Sequence, residues 1–133
     1  MLSYFRFHHI GIACQNIERT VSIVAGGYSR TETVVDPLQN VYVCLLKKDL
    51  QPFIELIAPV DEISPICRIL QKTGGVSPYH ICYIVPNVEN ALADLRGNRY
   101  MPISKPKMSN VFGRPVCFLY HKDMGLIEII QEQ

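Results

Sequence analysis

Two histidines and two glutamates stand inside otherwise apolar stretches of this 133-residue chain, and they form two matched sets. The segment HIGIACQNIE, which begins at His9, recurs as HICYIVPNVE, which begins at His80. The segment FIELI, centred on Glu55, recurs as LIEII, centred on Glu128. Imidazole nitrogens and carboxylate oxygens bind divalent ions such as Zn, Ni, Co, Mn and Fe, and carboxylates also transfer protons. These residue types predict one divalent metal ion without choosing among the metals.

The alternation of side chains along a strand indicates which way these four residues point. Successive strand residues face opposite sides of a sheet, so Ile10 and Ile12 are expected to face a helix while His9 faces the other side. The same parity places His80, Glu55 and Glu128 on the face away from the helices. A carboxylate in an apolar strand is costly to bury without a partner. A shared cation would compensate that cost.

Other interpretations of the histidines and glutamates stay open at this point. A single strand histidine or glutamate is more often a hydrogen-bonded core residue than a ligand, and a metal-free pocket lined by such groups is the alternative. His8 is adjacent to His9, so it is predicted to lie on the helix side or at the surface. His121, in YHKDMG, is expected to be a loop histidine.

The elements that hold these residues follow the order β-α-β-β-β twice. In the first half we predict strands at 7–14, 28–35, 41–46 and 53–58, and a helix from the cap Asn16 to about residue 25. In the second half we predict strands at 79–85, 100–104, 116–120 and 126–130, and a helix from the cap Asn87 to about residue 96. Residues 105–113 are predicted to form an irregular loop.

This pattern predicts an α+β fold in which two tandem β-α-β-β-β modules form a curled mixed sheet around a metal-binding cavity, with helices outside. Residues 1–133 are expected to form a single domain. Its parts are a first module at 5–58, a linker with a short helix at 59–76, and a second module at 77–133.

Composition excludes several classes of partner. The formal net charge is +1 and 48% of the residues are hydrophobic, so neither nucleic acid nor an anionic membrane is indicated. The first residues lack a signal-peptide pattern and no apolar run is long enough to span a bilayer, which predicts a cytoplasmic protein. The five cysteines have no C-x-x-C spacing, and we expect them to be reduced and buried as small hydrophobic side chains.

The matched motifs resemble those of the vicinal oxygen chelate superfamily, which includes glyoxalase I, methylmalonyl-CoA epimerase, extradiol dioxygenases and bleomycin resistance proteins. The resemblance runs from HHIGIACQNIE through FIELIAP and PYHICYIVPNVENALADL to GRPVCFLYHKDMGLIEII, and it is closest to the glyoxalase and epimerase branch. It implies His9, Glu55, His80 and Glu128 as ligands of one divalent metal. It also implies a homodimer.

The resemblance further implies a metal-dependent lyase or isomerase that moves a proton next to a carbonyl through a metal-stabilised enediolate. The substrate would be a small molecule such as a thioester or a hemithioacetal. Glu128 or Glu55 would carry the proton, with Glu128 preferred. The alternatives are a non-catalytic binding protein of the bleomycin resistance kind and an Fe(II) extradiol-type dioxygenase.

One position departs from the epimerases that this chain resembles. Those enzymes carry a catalytic glutamate on the third strand, where VYVCLL places Val43. Val43 and Cys82 are expected to line a small apolar cavity beside the metal. Arg114, with Lys105 and Lys107 of the preceding loop, is a candidate to meet a carboxylate, thioester or phosphate group, the alternative being solvated loop charges.

Overall fold

A computed structural model of the chain describes residues 2–24 and 26–133. The described part contains ten strands and three helices, and it confirms the predicted α+β class and the tandem order of the elements. In the first half they are β1 (Arg6–Ala13), α1 (Ile17–Val24), β2 (Ser29–Arg30), β3 (Val34–Asp36), β4 (Val41–Lys47) and β5 (Phe53–Pro59). They continue with α2 (Ile66–Thr73), β6 (Ser77–Val85), α3 (Val88–Arg96), β7 (Met101–Pro102), β8 (Lys107–Met108), β9 (Pro115–His121) and β10 (Gly125–Gln131).

The contacts divide the chain into two compact units, which we call the first unit, residues 9–79, and the second unit, residues 2–8 with 80–133. In the first unit β1 pairs with β5 in parallel, while β4 pairs with β5, β2 and β3 in antiparallel fashion. One face of this sheet packs against α1 through an apolar cluster. Ile12, Ile54 and Leu56 belong to that cluster, as the strand alternation predicts.

The second unit repeats this arrangement around α3. Strand β10 pairs with β6 in parallel and with β9 in antiparallel fashion, and β9 also pairs with β7 and β8. Asn87 caps α3 as predicted, since its side chain accepts a hydrogen bond of 2.9 Å from the backbone N–H of Asn90. The apolar cluster under α3 includes Ile81, Tyr83 and Ile129, which are again the residues predicted to face the helix.

Three predicted elements differ from the observed ones. The strand expected at 28–35 is two short strands, because the Thr31 hydroxyl takes the place of a backbone carbonyl and accepts a hydrogen bond from the N–H of Leu45. The strand expected at 100–104 is reduced to β7 at the sheet edge, where Pro102 needs no N–H because it pairs with Leu119 at a position without ladder hydrogen bonds. The loop expected at 105–113 contains β8. The first helix ends at Val24, and its predicted end at residue 25 lies outside the described residues.

The segment between the modules contains α2, whose buried side chains are Ile66 and Leu70. The organisation of the whole chain as a single domain stays a prediction. No helix in the described ranges is long and apolar enough to cross a membrane. The cysteines are reduced, and all are buried except Cys67, which is half-buried because its helix lies at the surface.

Candidate metal centre

The first unit brings one histidine and one glutamate together on the face away from α1. In the parallel pairing of β1 with β5, Gly11 lies beside Glu55, and His9 lies one step along the same face. The distance from His9 Nε2 to Glu55 Oε1 is 3.5 Å, and both side chains are buried.

The second unit builds the matching pair on β6 and β10. His80 Nε2 lies 3.5 Å from Glu128 Oε2, and both side chains are buried. The other carboxylate oxygen, Oε1, lies 3.5 Å from the Cys82 thiol, which donates to it. Phe118 is the β9 residue opposite Glu128, and its ring meets the His80 ring edge-on at 5.2 Å. Each unit therefore holds a buried cluster of potential metal ligands.

The geometry and chemistry of both pairs suit a divalent ion. A nitrogen–oxygen distance of 3.5 Å is longer than an ordinary hydrogen bond of about 2.7–3.2 Å. Two ligand atoms that each lie about 2.1 Å from a tetrahedral ion are roughly 3.4 Å apart, which is close to the observed spacing. A mixed nitrogen and oxygen set is accepted by several first-row metals. The residues present in each unit thus fit a metal ion.

The remaining predicted site residues lie in two different environments. Val43 is buried on β4, opposite Ile57, and it shares a face with Glu55 because Leu45 is the β4 partner of that glutamate. No carboxylate occupies this position. Cys82 lies beside Glu128, as described above, so one predicted cavity residue contacts a predicted ligand directly.

Arg114 is half-buried at the entry to β9 and contacts its own chain. Its Nη1 donates to the carbonyl of Gln131 at 3.3 Å, and its Nη2 lies 3.5 Å from His8 Nε2. The His8 ring meets Phe112 edge-on at 5.2 Å, so this histidine is buried beside Arg114. The sequence carries no signal for this contact, because the two residues belong to motifs at opposite ends of the chain.

His121 is the last residue of β9, where a loop position was expected. Its Nδ1 accepts a hydrogen bond of 3.0 Å from the N–H of Asp123, and its ring lies 4.7 Å from that of Tyr100. Strand β9 runs one residue further than predicted because its pairing with β10 continues to Gly125. His121 is therefore engaged in closing the β9–β10 turn.

Two buried thiols lie on the helix side of the sheets. Burial raises the pKa of Cys117, in the second unit, to about 11, and nearby Glu89 adds to the rise. Burial also raises the pKa of Cys14 in the first unit. Both thiols stay protonated at neutral pH, so neither is a nucleophile there.

Comparison with known protein families identifies the superfamily of the chain. Residues 8–118 match the model of the Glyoxalase/Bleomycin resistance protein/Dioxygenase superfamily. The chain belongs to this superfamily. The match covers most of the chain, and it confirms the resemblance drawn from the repeated motifs. The superfamily is metal-dependent, which agrees with the ligand clusters in both units.

Individual relatives are methylmalonyl-CoA epimerases. The human mitochondrial enzyme is 30% identical over 130 residues, which cover 96% of this chain and 73% of that protein. The ethylmalonyl-CoA/methylmalonyl-CoA epimerase of Cereibacter sphaeroides is 38% identical over 82 residues, or 59% of this chain and 60% of that protein. A Streptomyces coelicolor methylmalonyl-CoA epimerase, solved in complex with 2-nitronate-propionyl-CoA, superposes with a TM-score of 0.85 at 27% identity, covering 98% of this chain and 96% of that chain. The relatives of this chain are thus isomerases.

Proposed function

We propose that this protein is a metal-dependent isomerase of the methylmalonyl-CoA epimerase type, which moves a proton next to the carbonyl of a CoA thioester. The observation that carries the proposal is the buried His–Glu pair that each unit builds at the same strand positions, with the same 3.5 Å spacing. The identity to epimerases over nearly the whole chain supports the reaction type. The CoA thioester in the Streptomyces complex supports the substrate class.

In this proposal His9, Glu55, His80 and Glu128 together hold one divalent ion, either Zn, Ni, Co or Mn. When bound, the ion supplies Lewis-acid polarisation of the substrate oxygens. The chain's own contribution is to exclude water and to hold the two carboxylates in an apolar setting, where a bound cation would offset the cost of burying them. Both glutamates are buried among aliphatic or aromatic side chains, which strengthens their interaction with any cation.

Glu128 is the proposed proton acceptor. A general base must come within hydrogen-bond reach of the proton that it removes. Both glutamates are buried, but the β9 partner of Glu128 is the half-buried Phe118, whereas the β4 partner of Glu55 is the buried Leu45. An epimerase also needs a group that returns a proton on the other face of the carbon, and we assign that role to Glu55.

A glyoxalase-type lyase is the second candidate, and Val43 favours it. The epimerases that the chain resembles use a third-strand glutamate, which is absent here because Val43 occupies that position. A lyase that rearranges a hemithioacetal requires only one carboxylate to carry the proton from carbon to carbon. Glu128 alone would meet that requirement.

Deuterium exchange tests the proposal and separates the two reactions. The purified protein is incubated in D₂O with methylmalonyl-CoA or with the hemithioacetal of methylglyoxal and glutathione, and NMR follows the hydrogen on the carbon next to the carbonyl. We expect exchange with the thioester, and elemental analysis should find one divalent ion per chain. Dialysis against a chelator should remove the ion and abolish the deuterium exchange. An unchanged exchange rate in the metal-free protein would contradict the proposal.

A further inference from the structure

The face of the second unit that carries Glu128 continues into an exposed apolar surface. Phe118 lies opposite Glu128, and the carbonyl of Phe118 accepts a hydrogen bond of 2.8 Å from the N–H of Ile103. Two residues further along β9, Tyr120 is paired with Leu126 of β10 on one side and with Met101 of β7 on the other. Paired residues of adjacent strands project to the same face. The five residues that form this surface, which we call the apolar shelf, are Met101, Ile103, Phe118, Tyr120 and Leu126.

The shelf is distinguished by exposed apolar side chains that adjoin one another. Met101 is 70% exposed, Ile103 is 61% exposed and Tyr120 is 48% exposed. Contiguous exposed apolar side chains of this size commonly mark a binding site. The shelf begins directly beside a potential catalytic carboxylate, Glu128, through its β9 partner Phe118.

A cleft of about 580 Å³ lies at the edge of the same sheet, against α3. Arg96 and Lys105 are exposed at this cleft, and neither side chain forms a hydrogen bond or ion pair with any residue in the described ranges. Glu89 is the single acid among the lining residues, so the cleft carries a net positive charge. The full lining is Glu89, Leu92, Arg96, Pro102, Ser104, Lys105 and Pro106.

The short edge strand β7 and the residues after it separate the shelf from the cleft. Met101 and Ile103 belong to the shelf, whereas the alternate residues Pro102 and Ser104 line the cleft. The Cys117 thiol donates to the carbonyl of Ser104 at 3.3 Å, which fixes this segment to β9. A ligand that crosses one strand edge therefore passes from an apolar surface to a basic one.

We propose that a CoA thioester binds along this path, with its acyl end beside Glu128, its pantetheine arm on the apolar shelf and its phosphates at Arg96 and Lys105. The inference rests on the proposed function, because Glu128 is the group assigned to the acyl end. The crossing from Glu128 to Ile103 spans two strand spacings, about 10 Å, which a long flexible arm can bridge. The order of apolar and basic surfaces along the path matches the order of methylene-rich arm and phosphates in CoA.

Calorimetric binding of free CoA tests the path without requiring turnover. Reversal of both charges in the double variant Arg96→Glu/Lys105→Glu should raise the Kd for CoA by tenfold or more, because each charge-assisted phosphate contact is replaced by repulsion. The matched control, Lys72→Glu/Lys122→Glu, changes the net charge equally at exposed positions outside the cleft and should leave the Kd unchanged. Pantetheine, which lacks the phosphates, should bind the wild type and the Arg96→Glu/Lys105→Glu variant equally.

A second pair of variants tests the shelf. Ile103→Asp should weaken the binding of both CoA and pantetheine several-fold, whereas Met108→Asp, at an equally exposed position outside the shelf, should weaken neither. All of these positions are exposed, and circular dichroism checks that each variant is folded. A Kd for CoA that is the same in the double variant as in its control, or an absence of CoA binding to the wild type, would overturn the path.

The binding measurements and the exchange measurements can refute the path and the isomerase function separately. Charge-sensitive CoA binding without deuterium exchange from any acyl-CoA would support the path and refute the isomerase. The opposite result is deuterium exchange whose KM is the same for the CoA thioester and the pantetheine thioester, both in Arg96→Glu/Lys105→Glu and in its control Lys72→Glu/Lys122→Glu. That result would support the isomerase and overturn the path.

Discussion

The two His–Glu faces of this protein are built alike but bordered differently. The β4 partner of Glu55 is the buried Leu45, and Val43 and Ile57 on the same face are also buried, while Phe53 and Val34 form a more open margin further out. Around Glu128 the neighbours are the buried Cys82 and the half-buried Phe118, and the face continues into the exposed apolar shelf. The repeat preserves the His–Glu pair in both units, while the side chains around the two pairs differ. This difference suggests different roles for the two glutamates. We infer that Glu128 removes the proton from the substrate carbon, and that Glu55 holds the ion and returns a proton on the other face.

The largest expected effect is a difference between the two glutamates in catalysis. Glu128→Gln should lower kcat by about 10²–10⁴-fold, the usual contribution of a general base, when measured as deuterium incorporation at saturating metal. Glu55→Gln should lower this exchange less, because an amide oxygen remains able to ligate and removal of the proton by Glu128 is unaffected, but inversion at the carbon should be lost. Glu132→Gln, which removes only an exposed ion pair with Arg6, serves as the control.

Equal losses of kcat in Glu128→Gln and Glu55→Gln would remove the proposed division of labour between the two pairs. A larger loss in Glu55→Gln would reverse it, and Glu55 would then be the residue that removes the first proton.

The positions of the two His–Glu pairs, and the face of the sheet on which each lies, could largely be predicted from the sequence. The recurrence of HIGIA as HICYI and of FIELI as LIEII located both pairs, because each repeat kept residue type and strand parity together. The apolar clusters under α1 and α3 contain the alternate residues, such as Leu56 and Ile129, that this parity requires. A period of two therefore predicts which face a residue occupies even where its exact partner is unknown.

The borders of the two faces could not be predicted in the same way. The contact between His8 and Arg114 joins distant segments, and no local pattern indicates it. The shelf depends on the register between β7 and β9, which a two-residue strand does not reveal in the sequence. Side-chain exposure at a sheet edge depends on what covers that edge, and a strand pattern records only alternation.

The second expected effect concerns metal binding and tests whether the pairs act together. If one ion is shared, the wild type should bind one divalent ion per chain, and both His9→Ala and His80→Ala should weaken its binding by about 100-fold or more, since each removes a ligand. Calorimetry with Zn or Ni, checked by elemental analysis, measures stoichiometry and affinity. Two ions per chain in the wild type, with each variant losing only one, would show that the pairs bind separately.

A third prediction compares the thiols behind the two sheets. The pKa of Cys117 in the folded protein, about 11, exceeds the ordinary thiol value of about 8.5, so the folded state holds this proton more tightly. Its contribution to stability is complete below about pH 8.5 and is lost as the pH rises towards 11. We expect this thiol to account for about 3 kcal/mol of the loss in unfolding free energy across that range.

Urea unfolding at several pH values measures this loss in the wild type, in Cys117→Ala and in the control Cys67→Ala. Cys117→Ala should show a shallower decline above pH 8.5, whereas Cys67→Ala should follow the wild type. Cys14, whose pKa is also raised by burial, should supply part of the decline that remains. A wild-type slope in Cys117→Ala would mean that this thiol does not titrate in the folded state over that range.

The smallest expected effect lies at the repeated helix caps, where the two units should behave alike. Asn16 accepts a hydrogen bond of 2.9 Å from the N–H of Arg19 at the start of α1, as Asn87 does from Asn90 at α3. Replacement of either asparagine by alanine should lower the free energy of unfolding by about 1 kcal/mol, and replacement by serine should restore most of it.

The caps are equal, but the helices above them are not. Helix α3 buries Val88, Ala91, Leu92 and Leu95, whereas α1 buries only Ile17 and Thr20 among its described residues. Loss of the cap should therefore increase amide hydrogen exchange in the first turn of α1 more than in that of α3, because fewer buried contacts hold α1 to its sheet. Equal exchange in the two helices would indicate that tertiary packing does not distinguish them, and that the units differ only on their ligand-bearing faces.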